Sequence, residues 1–386
     1  MQYQHVSILI LNWNNWKDTI ECLESVYQSN YSHYNVIVID NGSKDHSVER
    51  IREYCEAKLK IKSKFFDYSN DNKPINFLEV ERLKNKNIKN LDLNNLKHLD
   101  NKKLIIVKNG ENYGFAEGNN IGIRFAFDYL KTDYILLLNN DTVIDIQLLE
   151  KMVLMSETDE KIAITQAKLL YYDEPNKINS TGNKMDIFGA THCRGCGEID
   201  TGKYDKSYND GFFYASGACI LIKRSFISEF SGHNLFDTKL FAYHEDVDIS
   251  FSAHVLGYKV VFCPEAICYH KEGSSHKNYY NKFYWAQRNN IRVLLKHYSF
   301  KYLIFIFPIN LLIELLHSIF ATFYIRRLDY IKIFIKSLSW NIKNINDTLE
   351  KRKIIQSKRK ISDKEIIKLM EKKSIRISSN FHLLFK

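Results

Sequence analysis

Asp141 is the first residue to weigh, because of what precedes it. The apolar run Tyr134-Ile135-Leu136-Leu137-Leu138 stops on Asn139-Asn140-Asp141-Thr142. A continuous apolar run of this length reads as a strand buried on both faces. In open parallel sheets ligands sit just beyond the carboxyl ends of such strands, where Asp141 could grip a cation or a diphosphate. An Asn-Asp turn closing a core strand reads from the same residues. Asp40, in Asp40-Asn41-Gly42-Ser43, ends another apolar run and could accept from a nucleobase N–H or a ribose hydroxyl; an Asx turn is the simpler account. Asn112-Tyr113-Gly114-Phe115-Ala116-Glu117-Gly118-Asn119 opens a helix. There glycine admits a ligand close to the backbone and a helix N-terminus favours phosphate. Glu245 and Asp246 are adjacent carboxylates. Burial would push their proton affinities apart and suit one of them to a general base, although acids in a first helical turn are also simply stabilising. His270 could complete a metal site with a carboxylate. Arg288, in Gln287-Arg288-Asn289-Asn290, could assist a diphosphate or only anchor its helix. Cys193-x-x-Cys196 has no second pair at zinc spacing and reads as a loop feature.

These residues need a frame. Val6–Leu11, Val36–Ile39, Leu104–Val107 and Tyr134–Leu138 read as strands. Helical spacing marks 16–29, 45–55 and 120–130 between them. Strand–helix alternation predicts parallel βαβ units, an α/β chain with a mostly parallel sheet covered by helices. Further on, 146–156, 225–230 and 247–256 read as helices, and 162–168, 213–222 and 258–262 as strands, with a loop-rich stretch over 171–212. Residues 58–103, crowded with Asn, Lys and Asp, read as a surface insertion, partly helical and remote from the chemistry.

The chain has 386 residues, 45% of them hydrophobic, enough for one large core plus an appendage. Seven cysteines without regular spacing suit reduced thiols, and no secretory signal opens the sequence. The net charge of +10 is uneven: from His297 onward there are 18 Lys and Arg against 7 Asp and Glu, so the preceding part is near neutral. Residues 302–325 approach the roughly 20 apolar residues that span a bilayer, but Pro308, Asn310, Glu314 and His317 interrupt them. An in-plane or peripherally docked helix pair with a basic amphipathic tail on anionic lipid is expected. A nucleic-acid role is disfavoured, because no basic strip with stacking aromatics lies near the sheet.

Taken together and in order, these motifs resemble the family-2 glycosyltransferases of the GT-A fold, in their bacterial rhamnosyltransferase-like branch. The matching stretches are Val6–Asn14, Val38–Ser43, Asn112–Asn120, Leu137–Thr142, Ala215–Cys219, Glu245–Asp248 and Pro264–His270. The resemblance covers residues 5–297 less the insertion, and makes 1–297 the transferase domain and 298–386 a helical, membrane-associating extension. It implies an inverting transfer from a nucleoside diphosphate sugar, a UDP- or dTDP-sugar such as rhamnose, to a saccharide or lipid-linked acceptor in surface polysaccharide synthesis. It implies Asp246 as general base with Glu245 beside it, and Asp141 and His270 on Mg²⁺ or Mn²⁺. Donor contacts fall at Asn12, Asp40, Gly114, Asn119 and Asn139, with Arg288 near the diphosphate. The expected setting is the cytoplasm, at the inner face of the cell membrane, and pairing of two copies is compatible with it. The metal motif reads Asn-Asn-Asp, without its first carboxylate. A non-catalytic sugar-nucleotide-binding scaffold held at the membrane by its tail is the alternative.

Overall fold

The long aliphatic runs become the middle of one twisted sheet. The computed structural model describes residues 4–82, 88–89, 103–206, 212–272, 279–325 and 329–378. The first half alternates as β1 (Val6–Asn12), α1 (Trp16–Tyr27), β2 (Tyr34–Asp40), α2 (Ser47–Cys55), β3 (Phe77–Arg82), β4 (Ile88–Lys89), β5 (Leu104–Lys108), α3 (Gly114–Tyr129) and β6 (Tyr134–Asn139). There follow β7 (Thr142–Ile144), α4 (Leu148–Glu157), β8 (Ile162–Tyr171), β9 (Ile178–Ser180), β10 (Asn183–Met185), β11 (Thr191–Cys193), β12 (Cys219–Lys223), α5 (Arg224–Ile227), α6 (Glu245–Val255) and β13 (Lys259–His270). The helices α7 (Tyr279–His297), α8 (Phe300–Ile325), α9 (Asp329–Lys343), α10 (Ile345–Ser357) and α11 (Asp363–Ile366) complete the chain.

Among the described residues the main sheet runs β4-β3-β5-β2-β1-β6-β12-β8-β13-β7, with β9 added on β8. Its centre is parallel: β1 pairs with β2 and β6, and β5 with β2 and β3. Alternation along each strand feeds two cores. Ile8, Ile10, Val36 and Val38 face Ile20, Leu23 and Leu148 from α1 and α4. Leu9, Ile37 and Ile39 face Ile123 of α3 and Ile249 of α6. Burial on both faces is why these strands read as continuous apolar runs. A third cluster joins Phe251 of α6 to Val293, Leu294, Ile306, Ile355 and Met370, so one core crosses residue 297.

Where it is described, the stretch 58–103 is largely at the surface but holds no helix. Phe77–Arg82 adds a parallel strand beside β5, with Val80 buried in the core and β4 beyond it in the sheet order. Phe65 stacks on Tyr269 with ring centroids 3.8 Å apart, one residue from His270, so this stretch does reach the neighbourhood of the site. Residues 83–87 and 90–102 lie outside the described residues. The strand expected over 213–222 is confined to Cys219–Lys223, because the backbone N–H of Ser216 is taken by the Gln166 side chain at 2.7 Å. The strand expected over 258–262 runs on to His270, passing a bulge between Cys263 and Ile267.

Candidate active site

Two strand ends bring the acidic and imidazole side chains together. Beyond β6 the chain turns through Asn140 and Asp141 into β7, which pairs antiparallel with the end of β13 so that Thr142 faces His270. The Asp141 carbonyl accepts from the Lys271 N–H at 3.0 Å. The Asp141 Oδ1 and His270 Nε2 then stand 3.4 Å apart. Lys271 reaches Asp18 and Glu21 on α1, pinning the strand end. On the far side of the imidazole, Asn179 Oδ1 lies 3.1 Å from Nδ1, while Asn179 Nδ2 donates to the Glu272 carboxylate at 2.8 Å. An amide oxygen only accepts, so Nδ1 carries the hydrogen and Nε2 keeps a lone pair beside Asp141.

Glu245 and Asp246 open α6 and line the same cleft, of about 780 Å³, as Asp141, His270, Asn139 and Gly114. Asp246 accepts from the Val247 N–H at 2.8 Å and from the Gly217 N–H at 3.3 Å. Burial pushes its carboxyl up to about 6, against the pull of those N–H groups. Glu245 is pushed further, to about 8, by burial and by the Asp246 charge. The buried Oε2 of Glu245 has no hydrogen-bond partner among the described residues. Of the coupled pair, Asp246 is therefore the member that ionises first and Glu245 the member that keeps a proton.

The wall leading to α6 is strained and aromatic. Phe241, Tyr243 and His244 all have φ between 62° and 67°, which bulky residues rarely adopt. Tyr243 stacks on Trp285 of α7, and Phe241 tilts against the same ring. Asn289, fully buried on α7, donates to the carbonyls of Leu240, Ala242 and Tyr243 and holds the loop in this shape. Gly114 is fitted to it: φ is +72°, and a Cβ there would lie 2.6 Å from the Phe241 ring. Asn112 Oδ1 accepts from the Gly114 N–H, which starts α3 six residues earlier than helical spacing alone indicates.

Not every expected contact faces the cleft. Asn12 is fully buried and donates to Asp40 Oδ1 and to Ser43, while the other Asp40 oxygen accepts from the Ser43 N–H. Both brace the turn rather than line the cavity. Asn119 bonds back to the Phe115 carbonyl within its own helix. Arg288 is buried, spanning the Lys239 and Leu240 carbonyls and lying 4.3 Å from the Trp340 ring centre, so in this structure it anchors the loop, the other role its position allowed. Asn179, Glu272, Asn289 and the aromatic wall were not anticipated. Asn179 sits on a three-residue strand 91 positions before its partner, with no local pattern to mark it.

Asp141 and His270 offer the cleft a carboxylate oxygen and an imidazole nitrogen, a pair that would suit a divalent cation. Among the described residues no group of three or more His, Cys, Asp or Glu could hold a metal by itself, and Cys193 and Cys196 are free thiols.

With this geometry in place, two family profiles match the sequence: Glycosyltransferase like family 2 over residues 96–289, and Glycosyl transferase family 2 over residues 7–76. A sequence comparison with curated proteins returns no match. Among solved structures, GalNAc-T7 with UDP, GalNAc and Mn²⁺ is similar with a TM-score of 0.52 and 14% identity, over 89% of this chain and 58% of that one. A mannosyltransferase from Pyrobaculum calidifontis, in complex with GDP-Man and Mn²⁺, gives 0.49 and 11%, over 89% and 76%. TarS 1–349 of S. aureus gives 0.44 and 12%, over 76% and 66%.

Proposed function

The chain belongs to glycosyltransferase-like family 2, and from that premise we propose that it moves one sugar, with inversion, from a nucleoside diphosphate donor to a hydroxyl of a saccharide or lipid-linked acceptor. The observation that carries this reading is that Asp246, Glu245, Asp141 and His270 line one cleft. The Asp246 carboxylate takes the proton of the acceptor hydroxyl. That oxygen forms a bond to the anomeric carbon as the bond to the diphosphate breaks on the opposite face, so no covalent enzyme intermediate forms. Glu245, holding its own proton, can donate a hydrogen bond to the acceptor and keep it aimed. Asp141 and His270 would hold Mg²⁺ or Mn²⁺, which when bound would supply charge neutralisation for the departing diphosphate. Asn139, also lining the cleft, is placed to contact the donor. A UDP- or dTDP-sugar, rhamnose among the candidates, suits the reading, as does a role in surface polysaccharide synthesis.

Asp246→Asn should reduce transfer by about 10²–10⁴-fold, the usual worth of a general base, with donor affinity and melting temperature unchanged. Turnover close to wild type would remove Asp246 from the role. A sugar-nucleotide-binding scaffold is favoured by one feature, Asn139 standing where a second carboxylate would strengthen the metal site. Calorimetry with nucleoside diphosphates, with and without Mn²⁺, separates the two, because the scaffold binds tightly yet turns nothing over.

A further inference from the structure

Helix α8 is apolar almost all round, and its few polar residues are the buried ones. Phe305, Ile309, Leu312, Leu316 and Phe323 are 46–77% exposed. At about 100° per residue all five fall within about 60° of one another, on one side of the helix. The opposite side carries the polar residues and is buried. Asn310 donates to the Phe188 carbonyl at 2.6 Å. Glu314 accepts from Gln287 at 2.9 Å and pairs with Arg376 at 2.8 Å, and Ser318 bonds the same Gln287. A surface helix in water has the reverse arrangement.

We propose that this face lies in the interfacial layer of an anionic bilayer, with the helix axis parallel to the membrane, and that α8 does not cross it. The helix is long and apolar enough to span. Its polar side is nevertheless bonded to α7, and α7 holds Arg292 and Lys296 in a buried ion network with Asp237 and Asp248. A spanning α8 would draw those charges into hydrocarbon, which is costly for each. Charge chooses the occupant. Lys301 at the start of α8, Lys332, Lys336 and Lys343 on the packed α9, and Lys353 on α10 are exposed. With 18 Lys and Arg against 7 Asp and Glu from His297 onward, this region disfavours a second copy of like charge and favours an anionic surface, near which each lysine adds about 1 kcal/mol of attraction. The proposal goes beyond glycosyl transfer and survives its failure.

The experiment uses the full chain and vesicles of phosphatidylglycerol with phosphatidylcholine, against phosphatidylcholine alone. The wild-type protein and Asp246→Asn should float equally well with the mixed vesicles and less with the neutral ones. Leu312→Glu with Leu316→Glu, on the exposed face and checked for an unchanged circular dichroism spectrum, should weaken binding by about tenfold or more. Phe305→Trp, Leu312→Trp and Phe323→Trp, read with brominated lipids, should all report one shallow depth. Deep quenching at Leu312→Trp flanked by shallow quenching at the other two would mean a span and overturn the proposal. So would a concentration-dependent dimer that the glutamates disrupt, with no affinity for either vesicle.

Discussion

At the scale of single residues, the site divides its labour by environment. Burial raises both members of the Glu245–Asp246 pair, but only Asp246 has two backbone N–H groups to steady its charge. The rate of transfer should accordingly rise with pH through about 6, as Asp246 gives up its proton. For stability the sign is opposite. Raised carboxyls bind protons more tightly folded than unfolded, so their contribution is complete below about 4 and is lost as pH climbs toward 8. Glu245→Gln should therefore melt at the wild-type temperature near pH 4 and above it near pH 9, followed by calorimetric scanning. A second expectation concerns Asn179. Asn179→Leu removes the acceptor that fixes the His270 tautomer and should weaken Mn²⁺ binding by about 10–100-fold in a calorimetric titration, with the fold intact. That Asp141, Asp246 and His270 would meet at one cleft was legible because each ends or begins an element at a chemically suggestive point. Asn12, Asp40, Asn119 and Arg288 bond within the fold and do not line the cleft, which sequence could not foretell because it locates a residue on an element without saying which way its side chain bonds. Asn179 was invisible for the complementary reason, since only tertiary structure gives it a partner.

At the scale of elements, continuous apolar runs announced the central parallel strands, because such strands must be buried on both faces. The irregular pieces were harder. No periodicity foretells that Phe77–Arg82 extends the sheet, or that 241–244 is held in a strained path by Asn289. The meeting of α3 with that path makes Gly114 a sensitive position. Gly114→Ala combines a left-handed backbone with a Cβ 2.6 Å from Phe241, so about 1–3 kcal/mol of stability should be lost. The cleft mouth should distort with it, and a lower melting temperature together with weaker nucleotide binding is the expected pair of readings. Three antiparallel pairs between β7 and β13 set the Asp141–His270 spacing, and a one-residue slip there would turn the imidazole to the other face.

At the scale of the whole molecule, the transferase body and the C-terminal helices are fastened by charge as well as by apolar contact. Asp237, 1% exposed, pairs with Arg292, Lys296 and Lys351. Burial opposes its ionisation, yet these cations hold the carboxyl well below the usual range. Its contribution is thus present above about 4 and lost as pH falls. Asp237→Ala should cost about 3 kcal/mol or more in urea unfolding, because buried cations lose their counter-charge. The division of charge along the sequence suggested a basic tail for anionic lipid, but Lys351, Lys358, Arg359 and Arg376 have acidic partners within the folded chain, three of them buried. The segment after α11 returns to the cleft side of the molecule. Glu371 bridges Asp186, and Lys184 binds Glu371 across 187 positions, next to the turn that carries Thr191 into the cleft wall. On a translating ribosome the sheet and Asp141, Asp246 and His270 would all have emerged before this clasp exists. During synthesis the wall around Thr191 would thus stay unfastened until the residues about Glu371 have docked, however early the sheet has formed.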